Sequence, residues 1–179
     1  LYTINCITQD SKGRMWIGTD NYGLFYIEDG KTCHLQEEYY NGIKTILAVV
    51  CSEDGTIYVA GMSGLYVIAD ADAEARTDSS AYCLEAYGDD ALTGVEFRSL
   101  VEKDDAIWGL TGNNEIYIFN KEKILRRLEV SLDAGEELNS MSLCQDAVYV
   151  GSTGHEVYVY RSATSRRTLA AGVESINGF

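Results

Sequence analysis

Apolar and polar residues alternate with a period of two in short runs along most of the chain, and the runs are broken by clusters of Gly, Asp, Asn and Ser. The stretch "RMWIGTDNYGLFYI", Arg14 to Ile27, holds the unit in miniature: an alternating run around Trp16, a polar break, and a second alternating run from Gly23. Such alternation between turn residues predicts half-buried strands joined by tight turns. Helical spacing is sustained nowhere, and Pro is absent. The longest apolar run, "ILAVVC" from Ile46 to Cys51, has the length of a strand and falls far below the roughly 20 residues that cross a bilayer.

The unit recurs. "MWIGT" at Met15–Thr19 returns as "IYVAG" at Ile57–Gly61, "IWGLT" at Ile107–Thr111 and "VYVGS" at Val148–Ser152, so the aromatic anchors Trp16, Tyr58, Trp108 and Tyr149 stand 42, 50 and 41 residues apart. The second run returns in step: "GLFYI" (Gly23–Ile27), "GLYVI" (Gly64–Ile68), "EIYIF" (Glu115–Phe119) and "EVYVY" (Glu156–Tyr160). Each anchor is preceded by another apolar run ("TINCIT", "IKTILAVV", "VEFRSLV", "NSMSLC") and a polar turn ("DSKG", "SEDG", "EKDD", "QD"). Each second run is followed by a weaker alternating segment ("KTCHLQE", "SAYCLEAY", "ILRRLEV", "RRTLAA").

Four strands in a period of 41 to 50 residues is the signature of a β-propeller blade, and predicts an all-β chain of about four blades with four antiparallel strands each. The blades are expected at about 1–42, 43–93, 94–137 and 138–172. A lone four-stranded meander has two faces to cover, and stacked blades cover both. The anchors therefore belong in the core between blades. The small residues two positions beyond Trp16, Tyr58 and Tyr149 (Gly18, Ala60, Gly151), and Gly109 directly after Trp108, let facing sheets approach.

The residues Ile7–Ile27, "ITQDSKGRMWIGTDNYGLFYI", resemble the two-component-regulator propeller repeat, with Asp10, Gly13, Trp16, Gly18, Thr19, Gly23 and Leu24 on pattern positions. Blade two departs from the pattern, with Ser52 where the Asp would stand and Tyr58 for Trp. Blade three keeps Trp108 but loses the turn Gly, and blade four has a shortened turn and Tyr149. The resemblance implies part of an extracytoplasmic sensor domain of a bacterial signalling protein, held in a larger membrane-anchored chain. Such a domain is not an enzyme and carries no cofactor; it binds a carbohydrate or similar small ligand. A structural or protein-interaction propeller is the alternative.

The tail "AAGVESINGF" repeats the approach to a blade, so Val173–Ile176 is expected to form the inner strand of a further blade; alternatively the tail closes a small four-bladed ring. A partial ring exposes an apolar blade face, and is expected to meet the remaining blades or a second copy there. The first residue is not Met, which fits an excised or processed piece. The segment Asp70–Ala81, "DADAEARTDSSA", reads as an exposed loop between the third and fourth strands of blade two. As a calcium loop it would need Gly and an acid where Ala75 and Ala81 stand.

The formal charge is −14, divided as −3, −7, −4 and 0 over the four periods. Lys and Arg form no stripe beyond Arg126-Arg127 and Arg166-Arg167, which disfavours nucleic acid and anionic membrane surfaces as partners. The five cysteines, Cys6, Cys33, Cys51, Cys83 and Cys144, lie at least 18 residues apart in alternating runs, and are expected as buried free thiols rather than zinc ligands. The two histidines, His34 and His155, fall in no metal-binding motif, and no G-x-S-x-G elbow occurs.

If a ligand binds, propeller geometry places it at the loops joining second to third strand and one blade to the next. These carry Asp20, Asn21, Tyr22, Tyr39, Tyr40, Asn41, Asn113, Asn114 and His155. Amide, carboxylate and aromatic groups together suit carbohydrate, although Asn, Gly and Tyr also build ordinary turns.

Overall fold

The computed structural model describes residues 2–35, 43–68, 82, 84–154 and 156–170. They form four antiparallel meanders of four strands, each ordered in the sheet as in the chain. Blade 1 comprises β1 (Thr3–Gln9), β2 (Met15–Asp20), β3 (Leu24–Glu28) and β4 (Lys31–His34). Blade 2 comprises β5 (Ile46–Cys51), β6 (Ile57–Gly61), β7 (Gly64–Ile68) and β8 (Glu85–Ala86). Blade 3 comprises β9 (Phe97–Lys103), β10 (Ala106–Thr111), β11 (Glu115–Phe119) and β12 (Ile124–Glu129), and blade 4 comprises β13 (Leu138–Cys144), β14 (Ala147–Ser152), β15 (Glu156–Ser162) and β16 (Ser165–Ala170). The helical content among the described residues is one 3-10 turn at Asp90–Leu92. No helix there is long and apolar enough to cross a membrane.

The chain divides into two compact units. One holds Leu1–Phe97 with Lys121–Lys123, and the other Arg98–Asn120 with Ile124–Phe179. Each has its own core, and the two cores are built alike. In the first, Trp16, Leu24 and Tyr26 of blade 1 pack with Ile46, Val49, Ile57, Val59 and Ile68 of blade 2. In the second, Trp108, Leu110, Ile116 and Ile118 of blade 3 pack with Met141, Val148, Val150, Tyr158 and Tyr160 of blade 4. The expectation that the anchors are core residues holds for Trp16, Tyr58 and Trp108, all buried. Tyr149 is half-buried. The close approach expected at Gly18 is also seen: a Cβ there would lie 2.5 Å from Cys6 Sγ and 2.6 Å from Ile46 Cγ2.

Where blade 3 lacks the turn glycine, Asp104 (φ 53°) and Asp105 (φ 57°) adopt the left-handed conformation that Gly13 and Gly55 (both φ 83°) supply in blades 1 and 2. Among the described residues of the segment "SAYCLEAY", Glu85–Ala86 form β8, and Tyr82 and Leu84 before it are buried. Where buried thiols were expected, Cys6, Cys33 and Cys51 are half-buried and Cys144 is exposed. It ends β13 beside the turn at Gln145, where the alternation no longer points into a core. The loop Asp70–Ala81, Cys83 and the strand expected at Val173–Ile176 lie outside the described residues.

Blade 1 is braced by a buried ionic cluster. Asp10 accepts from the Trp16 indole Nε1 (2.8 Å), from the Arg14 backbone (2.9 Å) and from the Lys12 backbone (3.0 Å), and pairs with the Arg14 guanidinium. That guanidinium is 4% exposed, donates to the Tyr82 hydroxyl, and lies over the Trp16 and Tyr82 rings at 5.7 and 5.3 Å. The second unit has a counterpart in the buried Lys103, whose Nζ reaches Asp104 (2.8 Å) and Asp146 (3.0 Å), tying the end of β9 to the β13–β14 turn. Burial alone would raise the Asp10 carboxyl, but hydrogen bonds from Trp16 and Arg14 outweigh it and hold the group below its usual range.

Replacing Asp10 by Ala removes the nearest carboxylate from the buried guanidinium, and should cost about 3 kcal/mol in urea denaturation. Because the folded pKa lies below the unfolded value near 3.8, the Asp10 contribution is complete above that pH and is lost as pH falls through the folded value. The Asp10→Asn variant should flatten the acid limb of the stability curve. Gly18→Val should cost about 1–3 kcal/mol by overpacking against Ile46, read as a lowered melting temperature.

Candidate functional site

In blades 1, 3 and 4 the turns joining second to third strand share one construction. A hydroxyl at the end of the second strand donates to the carbonyl four residues on: Thr19 to Gly23 (2.7 Å), Thr111 to Glu115 (3.2 Å) and Ser152 to Glu156 (3.1 Å). Between them, Asn21 (φ 66°) and Asn114 (φ 64°) occupy left-handed positions, which Asn tolerates better than most residues.

In the first unit, this turn is joined to the leading segment of blade 2. The Thr45 hydroxyl donates to Asp20 Oδ1 (3.1 Å) and accepts from the Asn21 backbone (3.4 Å), while Gly23 N–H donates to the Lys44 carbonyl (2.7 Å). Asp20 and Asn21 are thus brought together, on Thr45. Tyr22 is 48% exposed, and its ring meets Tyr2 edge-on with centroids 4.5 Å apart. Its carbonyl accepts from His34 Nε2 (2.8 Å), and the His34 ring stacks on Phe25 at 4.2 Å.

In the second unit, Asn114 Oδ1 accepts from the Leu138 backbone (2.7 Å) at the start of β13. Asn113 donates through its backbone to the Thr111 hydroxyl (3.3 Å). Glu137 and Thr153 exchange two hydrogen bonds of 2.9 and 2.8 Å, and the Glu137 carboxylate lies 3.5 Å from Arg98 Nη1. Tyr39, Tyr40, Asn41 and His155 lie outside the described residues.

Sequence reasoning missed two features. The first is the stapling role of Thr45 and Thr153, which only the fold reveals. The second is a register shift in the innermost strands of blades 1, 2 and 4, between Ile4 and Cys6, Ile46 and Ala48, and Leu138 and Ser140. A bulge leaves one residue unpaired and re-aims its side chain, here at Asn5, Leu47 and Asn139. Asn5 Nδ2 donates to the Ile46 carbonyl (2.9 Å), and Asn139 Oδ1 accepts from the Ser140 hydroxyl (3.0 Å). Both asparagines are exposed. With Arg98, Asn113 and Glu137, Asn139 offers the second unit neutral and charged hydrogen-bonding groups of the kind that meet a hydroxyl-rich ligand. Among the described residues, no group of three or more His, Cys, Asp or Glu could hold a metal ion.

Residues 2–21 match the family model described as two component regulator propeller. Among curated proteins none matches the chain in sequence. Solved structures share the fold at low identity. A catalytically inactive histidine-to-alanine variant of virginiamycin B lyase from Staphylococcus aureus, with quinupristin, matches with a TM-score of 0.68 at 16% identity, over 96% of this chain and 56% of that one. The extracellular domain of a hybrid two component system from B. thetaiotaomicron matches with a TM-score of 0.70 at 16% identity, over 93% of this chain and 23% of that one. A computationally designed protein, Ika8, matches with a TM-score of 0.63 at 12% identity, over 92% of this chain and 48% of that one. The fold is therefore a partial β-propeller, and the chain spans about half the length of the lyase and the designed protein and about a quarter of the extracellular domain. It carries a recognisable two-component-regulator repeat in blade 1.

The Asn114 staple separates two effects of one residue. Asn114→Gly keeps the left-handed backbone and removes the bond to Leu138, and should cost about 1 kcal/mol. Asn114→Ala loses the bond and also strains the turn, and should cost about 1 kcal/mol more. Equilibrium denaturation of the two variants against the parent measures both steps.

Proposed function

We propose that the chain belongs to the sensor region of a bacterial two-component-type signalling protein, works outside the cytoplasm, and binds a carbohydrate or similar small ligand without transforming it. The match of residues 2–21 to the two component regulator propeller model carries this reading. The likeness in fold to the extracellular domain of a hybrid two component system supports it. Arg98, Asn113, Glu137 and Asn139 are the described groups best suited to the ligand, as exposed hydrogen-bonding residues on the strands, turns and bulge of one unit.

The likeness to a lyase is one of fold, and folds host unrelated chemistries. His34 lends no support to a catalytic reading, since its Nε2–H is directed to the Tyr22 carbonyl and its ring is stacked on Phe25. A structural or protein-interaction propeller is the second reading. It is favoured by the commitment of Asp20 and Asn114 side-chain oxygens to contacts between blades.

A thermal-shift screen against oligosaccharides of varied linkage tests the proposal. A specific ligand at about one hundred times its Kd should stabilise the chain by about 2.7 kcal/mol, and the joint Arg98→Ala and Asn139→Ala variant should lose most of that shift. A panel without a shift, alongside capture of a protein partner, would favour the second reading. Depolymerisation or ring opening of any compound tested would overturn the non-enzymatic assignment.

A further inference from the structure

We infer that the ligand of the second unit is a neutral sugar with adjacent hydroxyls, held between Arg98 and Glu137, and that an anionic sugar is rejected there. The inference rests on the sensing role proposed above and names the class of ligand. The two residues are not what ties their blades together. Blades 3 and 4 are joined by neutral bonds, from the Ser99 hydroxyl on β9 to the Met141 carbonyl on β13 (3.2 Å) and from the Leu138 backbone to Asn114 Oδ1 (2.7 Å). The Arg98 and Glu137 side chains are 37% and 59% exposed, with Nη1 3.5 Å from Oε2. An exposed ion pair of that length contributes little to stability.

Its chemistry suits a diol. The guanidinium offers donors only and the carboxylate acceptors only, side by side, while each hydroxyl of a sugar can do both. One hydroxyl accepts from Arg98 as its neighbour donates to Glu137, and both bonds are charge-assisted. Glu137 is set for this by its main chain. Its N–H donates to the Thr153 hydroxyl (2.9 Å), and its carbonyl accepts from the Thr153 N–H (2.8 Å), so the carboxylate projects from a fixed backbone.

The surrounding charge disfavours an anion. The Glu136 carboxylate lies against Gly154 in the β14–β15 turn, in the place a side chain at Gly154 would take. Glu136 and Glu137, successive in the chain, thus set two carboxylates against the Arg98 guanidinium. Arg166 is held on the outer strand β16, over the Tyr158 ring at 4.4 Å. Asn113 and Asn139, the other groups of the proposed site, are neutral. An incoming carboxylate would meet like charge, and could take Arg98 only by displacing Glu137 from it.

Melting temperatures with gluco-, manno- and galacto-oligosaccharides, each set against its uronate counterpart, test the inference, with circular dichroism confirming that every variant is folded. At least one neutral sugar should raise the melting temperature of the parent. Its uronate counterpart should not, and periodate cleavage of its adjacent hydroxyls should abolish the effect. Arg98→Ala and Glu137→Gln should each weaken binding of that sugar about tenfold or more. Glu137→Gln should also admit the uronate, a gain that the loss of a merely structural contact would not produce. A parent stabilised as strongly by a uronate as by the neutral sugar, or a neutral sugar bound equally by the parent and Glu137→Gln, would overturn the inference and leave the sensing role standing. No shift from any sugar would overturn both.

Discussion

The contact on which the structure depends is that between an anchor face and an aliphatic row. A four-stranded meander of alternating sequence buries neither face by itself, and a sheet in that condition is marginal in water. Trp16 and Tyr26 on one blade, with Val49, Val59 and Ile68 on the next, solve the problem for two faces at once. Trp108 and Ile118, with Val150 and Tyr158, repeat the solution. An aromatic ring removes some 150–250 Å² from water and is stiff, so it sets the spacing between sheets as well as holding them together. Gly18 is the other half of that device. Its missing side chain is the space that Ile46 occupies, and the ring can wedge only where the backbone beside it comes close.

Polar groups then fix the blades at their ends, with different chemistry at different turns. Arg14 and Lys103 are buried cations that reach from one blade to another, the first to Tyr82 and the second to Asp146. At the turns between second and third strands the ties are neutral or singly charged, through Thr45 and Asn114. A buried charge is costly to desolvate, and is therefore intolerant of any arrangement that leaves it unpaired. The hydrophobic contact supplies attraction without direction, and these bonds select one register from those it would permit.

Much of this was legible in the sequence, because strand alternation and the recurrence of the anchors report directly on burial. The four strands per period and the core positions of Trp16, Tyr58 and Trp108 followed from spacing alone. Other features were hidden for definite reasons. Arg14 looks like a solvated strand flank, and its burial depends on Tyr82, 68 residues away. The bulges at Asn5, Leu47 and Asn139 each add one residue to a strand, which alternation over so short a run does not resolve. For the candidate site the difficulty is chemical. Asn at a turn serves a left-handed backbone, a staple to the next blade or a ligand equally well, and Asn114 performs the first two at once.

The uneven preservation of the repeat has a physical explanation of the same kind. In blade 1 one carboxylate, Asp10, serves the indole, the guanidinium and two backbone amides, so no other residue type fits there. In blade 2 the backbone turn is the same, with Gly55 donating to Ser52 as Gly13 donates to Asp10. The capping, however, has passed to Asp54, which accepts from the Thr56 backbone (2.9 Å). In blade 3 the turn is made by two aspartates, and in blade 4 by Gln145 (φ 55°). When several bonds converge on one side chain, its identity is fixed and the family pattern stays readable. When the same bonds are shared among neighbours, each becomes replaceable and the pattern fades while the blade persists. Recognition by sequence is therefore confined to residues 2–21, although the fold extends through all four blades.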